Sequence, residues 1–206
     1  MKTVSMDYLA SGRTRQKQRT RDQLIAAARE LITAGDTPRV EQVAEAAGIS
    51  RPTAYRYFAS QAELLAAAYP ETGAASVLPD PPPAALDERV AAVAGFLIGR
   101  VQEAEPQQRA MLRLSLGEVP HELPLRQGRA IPWFLEALAP MTDSIGEEGV
   151  HRLALALRAA CGIETRVWLS DVAGLAPAEV SALQQWMVDA LVKRALESPP
   201  TDRPVY

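Results

Sequence analysis

Apolar residues in the N-terminal third recur at helical spacing, in short blocks separated by helix-ending signals. Leu24, Ala27, Ala28, Leu31 and Ile32 predict a helix over residues 20–34, with Thr20 and Gln23 at capping-box spacing and Gly35 at its end. Asp36, Thr37 and Pro38 form a link. Val40, Val43, Ala44 and Ala47 then predict a short second helix. Gly48 follows it as a left-handed helix end, and Ile49 is apolar and can seal the corner. Ser50 suits an N-cap, and Pro52 falls in the first turn of a third helix over residues 51–58, where its missing N–H does no harm. Two short helices joined by so tight a glycine turn make a helix-turn-helix. Ser60 and Glu63 repeat the capping-box spacing and start a fourth helix over 61–68.

Beyond that point the blocks lengthen. Residues 70–83, PETGAASVLPDPPP, cannot continue a helix and read as a loop within a larger body. Leu86, Val90, Val93, Leu97 and Val101 form one stripe over 86–105, with Phe96 and Ile98 off it and available to a second neighbour. Pro106 opens a helix carrying Met111, Leu112, Leu114 and Leu116. Residues 117–128 are irregular, broken by Pro120 and Pro124, and Pro132 starts a short helix with Phe134, Leu135 and Leu138. Two long helices come last, over 149–172 and 177–196, joined by a turn at Gly174. Leu153, Leu157, Cys161 and Trp168 on the first, with Val180, Leu183, Trp186, Met187 and Leu191 on the second, give more apolar surface than one packing partner covers. Such a pair meeting its own copy as a four-helix bundle would bury it, with Leu153, Leu157, Leu183, Trp186, Met187 and Leu191 at the seam.

Composition agrees with this all-α reading. Hydrophobic residues make up 48% of the 206, charged residues 23% and aromatics only 5%, which favours helix over strand and allows a sizeable core. The net charge of −3 argues against nucleic acid until it is divided along the chain. Residues 1–60 hold 10 Lys/Arg against 6 Asp/Glu, whereas residues 61–206 hold 12 against 19. A basic head on an acidic body confines attraction for phosphate to one end. The single cysteine, Cys161, leaves no internal disulfide and fits a reducing compartment. With no apolar run of about 18 residues and no apolar leader at the N-terminus, a soluble cytoplasmic protein is expected.

The positive charge gathers around the third helix. Ala54 and Phe58 are spaced to face a core, while Arg51, Thr53, Tyr55, Arg56 and Tyr57 cover most of the remaining circumference, and no acid interrupts residues 48–61. Arginine offers a planar fork to guanine edges or phosphates, threonine a hydroxyl and a methyl, and tyrosine a donor for a phosphate oxygen. Arg13, Arg15, Lys17, Arg19 and Arg21 precede this module with no acid among them, as a disordered or frayed helical arm able to lie along a phosphate backbone. Residues 1–12 carry no clear period and read as a tail.

Residues from about 20 to 68 resemble the DNA-binding domain of the TetR/AcrR family of transcriptional regulators. The likeness is carried by Val43-Ala44, Ala47-Gly48-Ile49-Ser50, Pro52-Thr53, Tyr55, Tyr57-Phe58 and Glu63-Leu64-Leu65, in the family's order and spacing without a gap. Arg39 stands where the family often has a threonine, and Gln61 where it usually has a lysine. The resemblance implies a homodimer built from the last two helices, a small-molecule effector held in the helical body, and usually repression. The expected organisation is a basic arm over 1–19, a three-helix DNA-binding head over 20–68, and an effector and dimerisation body over 69–206. On duplex DNA, Arg51, Thr53 and Arg56 are the expected base contacts. Tyr55, Tyr57, Arg39, Arg15, Lys17 and Arg19 are expected on phosphates, with Ser50 and Pro52 on the same surface. Phe96, Met111, Arg113, His121, Trp133, Phe134 and Trp168 are the candidate effector-pocket residues.

Other chemistry finds little support. Glu118 with His121 and Glu148 with His151 have the Glu-x-x-His spacing of a di-iron bundle, but Pro120 breaks the first pair and Gly149 puts the second at a helix start. There is no GxSxG elbow, phosphate-cradling glycine loop or Cys/His zinc spacing, and Cys161 lies on an apolar stripe. Neither metal, cofactor nor catalysis is expected. The competing reading is a helical ligand-binding protein or enzyme with an incidental helix-turn-helix.

Overall fold

The structure, a computed structural model, describes residues 4–68, 74–116 and 130–200, with side chains from Thr14 onward. Every regular element among these residues is helical. The α-helices are α1 (Val4–Thr33), α2 (Val40–Ala46), α3 (Arg51–Tyr55), α4 (Gln61–Ala68), α5 (Leu86–Glu103), α6 (Glu105–Ser115), α7 (Ile131–Leu138), α8 (Thr142–Ala160), α9 (Ile163–Val167) and α10 (Pro177–Glu197). The chain divides into two compact units, one within Met1–Glu71 and Arg113–Leu125, the other within Thr72–Leu112 and Arg126–Tyr206.

In the first unit, α1 packs against α2 and α4, and α2 against α3. Leu24, Ala28 and Ile32 of α1 are buried with Val43, Ala44, Ala54, Phe58, Leu64 and Leu65, the stripes that the periodicity predicts. Leu31 is only half-buried, and Ile25 takes a core place instead. The first helix is much longer than expected. The backbone is helical from Val4, and Thr20 is no cap: its hydroxyl donates to the Gln16 carbonyl one turn back, inside the helix. Residues 13–34 hold no proline or glycine to stop the helix, and Gln18 bonds Asp22 across one turn at 2.8 Å.

The second unit is built from α5, α7, α8 and α10. Val90, Val93, Phe134, Ala137, Leu138, Leu153, Ala154, Leu157, Cys161 and Val188 share one core, and Val77 and Leu78 of the preceding loop pack against it. Arg89 ties α5 to the end of α7, donating to the carbonyls of Glu136 (2.9 Å), Ala137 (3.1 Å) and Pro83 (3.4 Å).

The helix expected over 149–172 is not continuous. A short helical stretch from Thr142 precedes it, non-helical backbone at Gly146 (φ 74°) separates the two, and the helix ends at Ala160. Gly162 is extended, α9 comes next, and residues Trp168–Val172 wind as a π-helix. The break is possible because its carbonyls find new donors. The Thr165 hydroxyl bonds the Ala159 carbonyl at 2.8 Å, and the buried Gln184 amide of α10 reaches those of Ala160 (2.9 Å) and Gly162 (3.4 Å). An ion network secures α9 and the π-helix: Asp171 pairs with Arg109 (2.6 Å), Arg109 with Glu105 (2.8 Å), and Glu105 with the buried Arg166 (2.6 Å). Burial pushes the Glu105 carboxyl up, but the Arg166 and Arg109 hydrogen bonds outweigh it and hold the group below the usual carboxylate range.

Candidate nucleic-acid interface

The surface expected to meet DNA is organised by the turn between α2 and α3. Gly48 adopts φ 64°, which costs an L-residue but not glycine. With the backbone so turned, Gly48 N–H bonds Glu45 O (3.1 Å) and Ile49 N–H bonds Ala44 O (2.8 Å), the paired bonds of a Schellman end. The N-terminus of α2 is closed by the Gln42 side chain, which accepts from the Arg39 N–H at 2.8 Å. Ser50 stands at the N-cap of α3, but its hydroxyl shares a 2.8 Å bond with the Thr53 hydroxyl rather than bonding a backbone N–H.

α3 is shorter than expected and ends at Tyr55, after which Arg56 and Tyr57 form a turn whose N–H groups bond Thr53 and Ala54 carbonyls. Ala54 and Phe58 point into the core. Arg51, Pro52, Tyr55 and Arg56 are exposed and Thr53 and Tyr57 half-buried. Arg39 is exposed at the start of α2, and Arg15, Lys17 and Arg19 are exposed along α1. None of Arg15, Lys17, Arg19, Arg39, Arg51 and Arg56 is in an ion pair among the described residues, so their charge is available.

Other cations of this unit are committed to the fold. Arg21 stacks over the Phe58 ring at 5.5 Å. Arg29 donates to the Ala68 carbonyl at the end of α4. The Gln61 amide bonds the Thr37 (2.8 Å) and Pro38 (3.1 Å) carbonyls, which gives a structural role to the residue standing in the family's usual lysine position. Ser60 and Glu63 cap α4 as predicted in position: Ser60 Oγ accepts from the Glu63 N–H, and the Glu63 carboxylate accepts from the Ala59 N–H.

One member of the surface is not evident from the sequence pattern. Glu41 of α2 accepts a hydrogen bond from the Tyr55 hydroxyl at 2.5 Å. That bond, with the nearby charges of Arg51 and Arg39, holds the Glu41 carboxyl below the usual range, and Glu41 in turn raises the Tyr55 phenol. The freedom of residues 48–61 from acids concerns one helix only; the acid comes from the helix packed beside it.

Of the predicted effector residues, Phe96, Trp133 and Phe134 belong to one core cluster of the second unit. Phe96 and Trp133 do meet, edge to face at 5.7 Å, with Trp133 Nε1 donating to the Ala74 carbonyl. Phe134 is plain core. Met111 is buried on α6, its sulfur accepting from Gln107. Trp168 is 58% exposed at the start of the π-helix. Arg113 clusters with the first unit, where its guanidinium donates to Gly35 O (3.3 Å) and Thr37 Oγ1 (3.4 Å). His121, with Glu118, lies outside the described residues. A groove of about 590 Å³ between α5 and α10, lined by Leu86, Val90, Asp189, Val192, Lys193 and Leu196 among others, contains none of these candidates.

Two residues of the expected seam between copies need correction. Leu153 and Leu157 are 2% and 0% exposed, packed into their own unit's core, because α8 turns that stripe towards α7 and α10. Leu183, Met187 and Leu191 are half-buried, while Trp186 is 64% and Leu155 43% exposed. His151 is exposed on α8, and Glu148 pairs with Arg152 at 2.7 Å.

A short helix held outward by a Schellman turn, with unpaired arginines on its free side, defines a helix-turn-helix DNA-binding domain. Residues 24–68 match the family of bacterial regulatory proteins described as the tetR family, and they are a TetR-family N-terminal helix-turn-helix domain. That domain implies a transcriptional regulator, with a helical C-terminal region following it. No curated protein matches the chain. No helix among the described residues is long and apolar enough to cross a membrane.

Proposed function

We propose that the protein is a homodimeric repressor that leaves its operator when a small molecule binds the C-terminal region. The observation that carries the DNA half of this reading is the set of exposed, unpaired guanidinium groups at Arg39, Arg51 and Arg56, around a helix seated by Ala54 and Phe58. In this mechanism each protomer places α3 in a major groove, about 34–36 Å from its mate on a pseudo-palindromic site. Arg51, Thr53 and Arg56 read base edges. Tyr55, Tyr57, Arg39, Arg15, Lys17 and Arg19 hold phosphates, with Ser50 and Pro52 on the same surface. The two copies meet along α8 and α10, where Trp186 and Leu155 leave apolar surface for a partner. An effector acts by binding more tightly to the conformation whose two α3 helices do not match successive grooves.

Operator selection from a random duplex library followed by gel mobility shift tests this. Arg51→Ala or Arg56→Ala is expected to weaken binding by about 1–3 kcal/mol and to relax sequence preference at one position. Unchanged shifts for both variants would remove the base-contact assignment. A wild-type protein not retained on duplex DNA at low salt would remove the DNA-binding reading itself.

A further inference from the structure

Tyrosine has a single hydroxyl proton, and in this structure Tyr55 gives it to Glu41 rather than leaving it for an incoming ligand. A phosphate oxygen can only accept, so Tyr55 cannot hold Glu41 and donate to a phosphate with the same proton. Glu41 is also close enough to Arg51 and Arg39 for both to act on its charge. The carboxylate therefore takes the Tyr55 proton and lies in the field of Arg51 and Arg39, all three of which the proposed function assigns to DNA. A carboxylate and a phosphate present the same chemistry to such a set: negative oxygens that accept from hydroxyl and guanidinium donors.

We propose that Glu41 is an internal stand-in for a DNA phosphate, an autoinhibitory contact that lowers the affinity of the reading face for duplex. The inference rests on the proposed DNA-binding role. On binding, Tyr55 must exchange the Glu41 carboxylate for a phosphate, an exchange of one charge-assisted bond for another with little net gain. Glu41 itself then faces a polyanion, which disfavours the complex through like-charge repulsion. Because Tyr55 and Glu41 are on different helices, the bond also joins α2 to α3 in the free protein, and the phosphate contact is made only when that tie is released.

The test uses the full-length protein and a labelled random-sequence duplex at low salt, because a phosphate contact is independent of sequence. Fluorescence anisotropy is read for wild type, Glu41→Ala, Tyr55→Phe and the double variant. Glu41→Ala is expected to tighten binding roughly three- to tenfold, through a freed donor and one less repelling charge. Tyr55→Phe alone is expected to weaken binding by less than the same change does in the Glu41→Ala background, because in wild type the phosphate bond only replaces the Glu41 bond. In the Glu41→Ala background the same Tyr55→Phe change should remove much of the gain. Strict additivity of the two substitutions, or unchanged or weaker binding by Glu41→Ala, would overturn the proposal. Glu41→Gln, which keeps the side chain's length and removes its charge, serves if the alanine variant melts early; tighter binding supports the inference and equal or weaker binding refutes it. Failure of wild type to bind would instead overturn the DNA-binding reading, so the two failures are distinguishable.

Discussion

Trp186 offers the sharpest test of the proposed assembly of two copies. Its own protomer leaves 64% of the residue uncovered, on the outward side of α10. A large aromatic side chain has about 150–250 Å² to bury, so a partner covering the rest would take roughly 100–150 Å² from water in each copy. At about 25 cal/mol per Å² that is on the order of 3 kcal/mol per copy, counted twice across a two-fold axis. Loss of translational freedom, side-chain ordering and desolvation of the indole N–H offset a large part. The remainder falls in the range of about 2–4 kcal/mol typical of an aromatic at an interface centre. Trp186→Ala is therefore expected to raise the dimer dissociation constant by roughly thirty- to a thousandfold. Sedimentation velocity over a concentration series reads that shift directly. The protomer's fold should be little affected, since the side chain is mostly outside its core, and thermal melting at a concentration where both proteins are monomeric checks this. A variant that sediments like wild type at every concentration would refute the reasoning, as would a wild type that is already monomeric at micromolar strength.

Two further outcomes are set by the geometry. At Gly48 a built Cβ would meet nothing within 4 Å, so Gly48→Ala should cost only the backbone penalty of φ 64°, about 1 kcal/mol after the unfolded-state gain, seen as a lower urea midpoint with unchanged slope; equal or greater stability would contradict the left-handed turn. Burial pushes the Cys161 thiol up to about 12, so at about pH 8 the folded protein should keep it protonated and resist alkylation that the urea-unfolded chain undergoes readily, as mass spectrometry of the adduct will show; rapid labelling of the native protein would contradict that burial.

The head is legible in the sequence because its signals are local. Gly48 after an apolar stripe, Ser50 before Pro52, and Ser60 with Glu63 each specify a helix end within a few residues, and the structure uses all of these positions. Where tertiary partners decide, the sequence is less informative. Periodicity shows which side of a helix is apolar but not which neighbour will cover it, so Leu153 and Leu157 read as a seam between copies although they fill their own core. The interruption after Ala160 is hidden because it depends on Gln184, more than twenty residues away, to satisfy the freed carbonyls. Glu41 is inconspicuous for a similar reason: its significance lies in a contact with Tyr55, 14 positions along the chain. Arg113 sits among leucines in the sequence, and only its contacts with Gly35 and Thr37 show what its charge is for.

A five-residue helix cannot persist in water, since nucleation costs more than so few backbone bonds return. α3 therefore has no existence apart from Ala54, Phe58 and the glycine corner that hold it. A synthetic peptide of that segment would be a random coil with no grip on a groove. In the whole protein, recognition should vanish at the same temperature at which this small core melts, and any protease nick that loosens the core should silence the reader while leaving every one of its arginines in place.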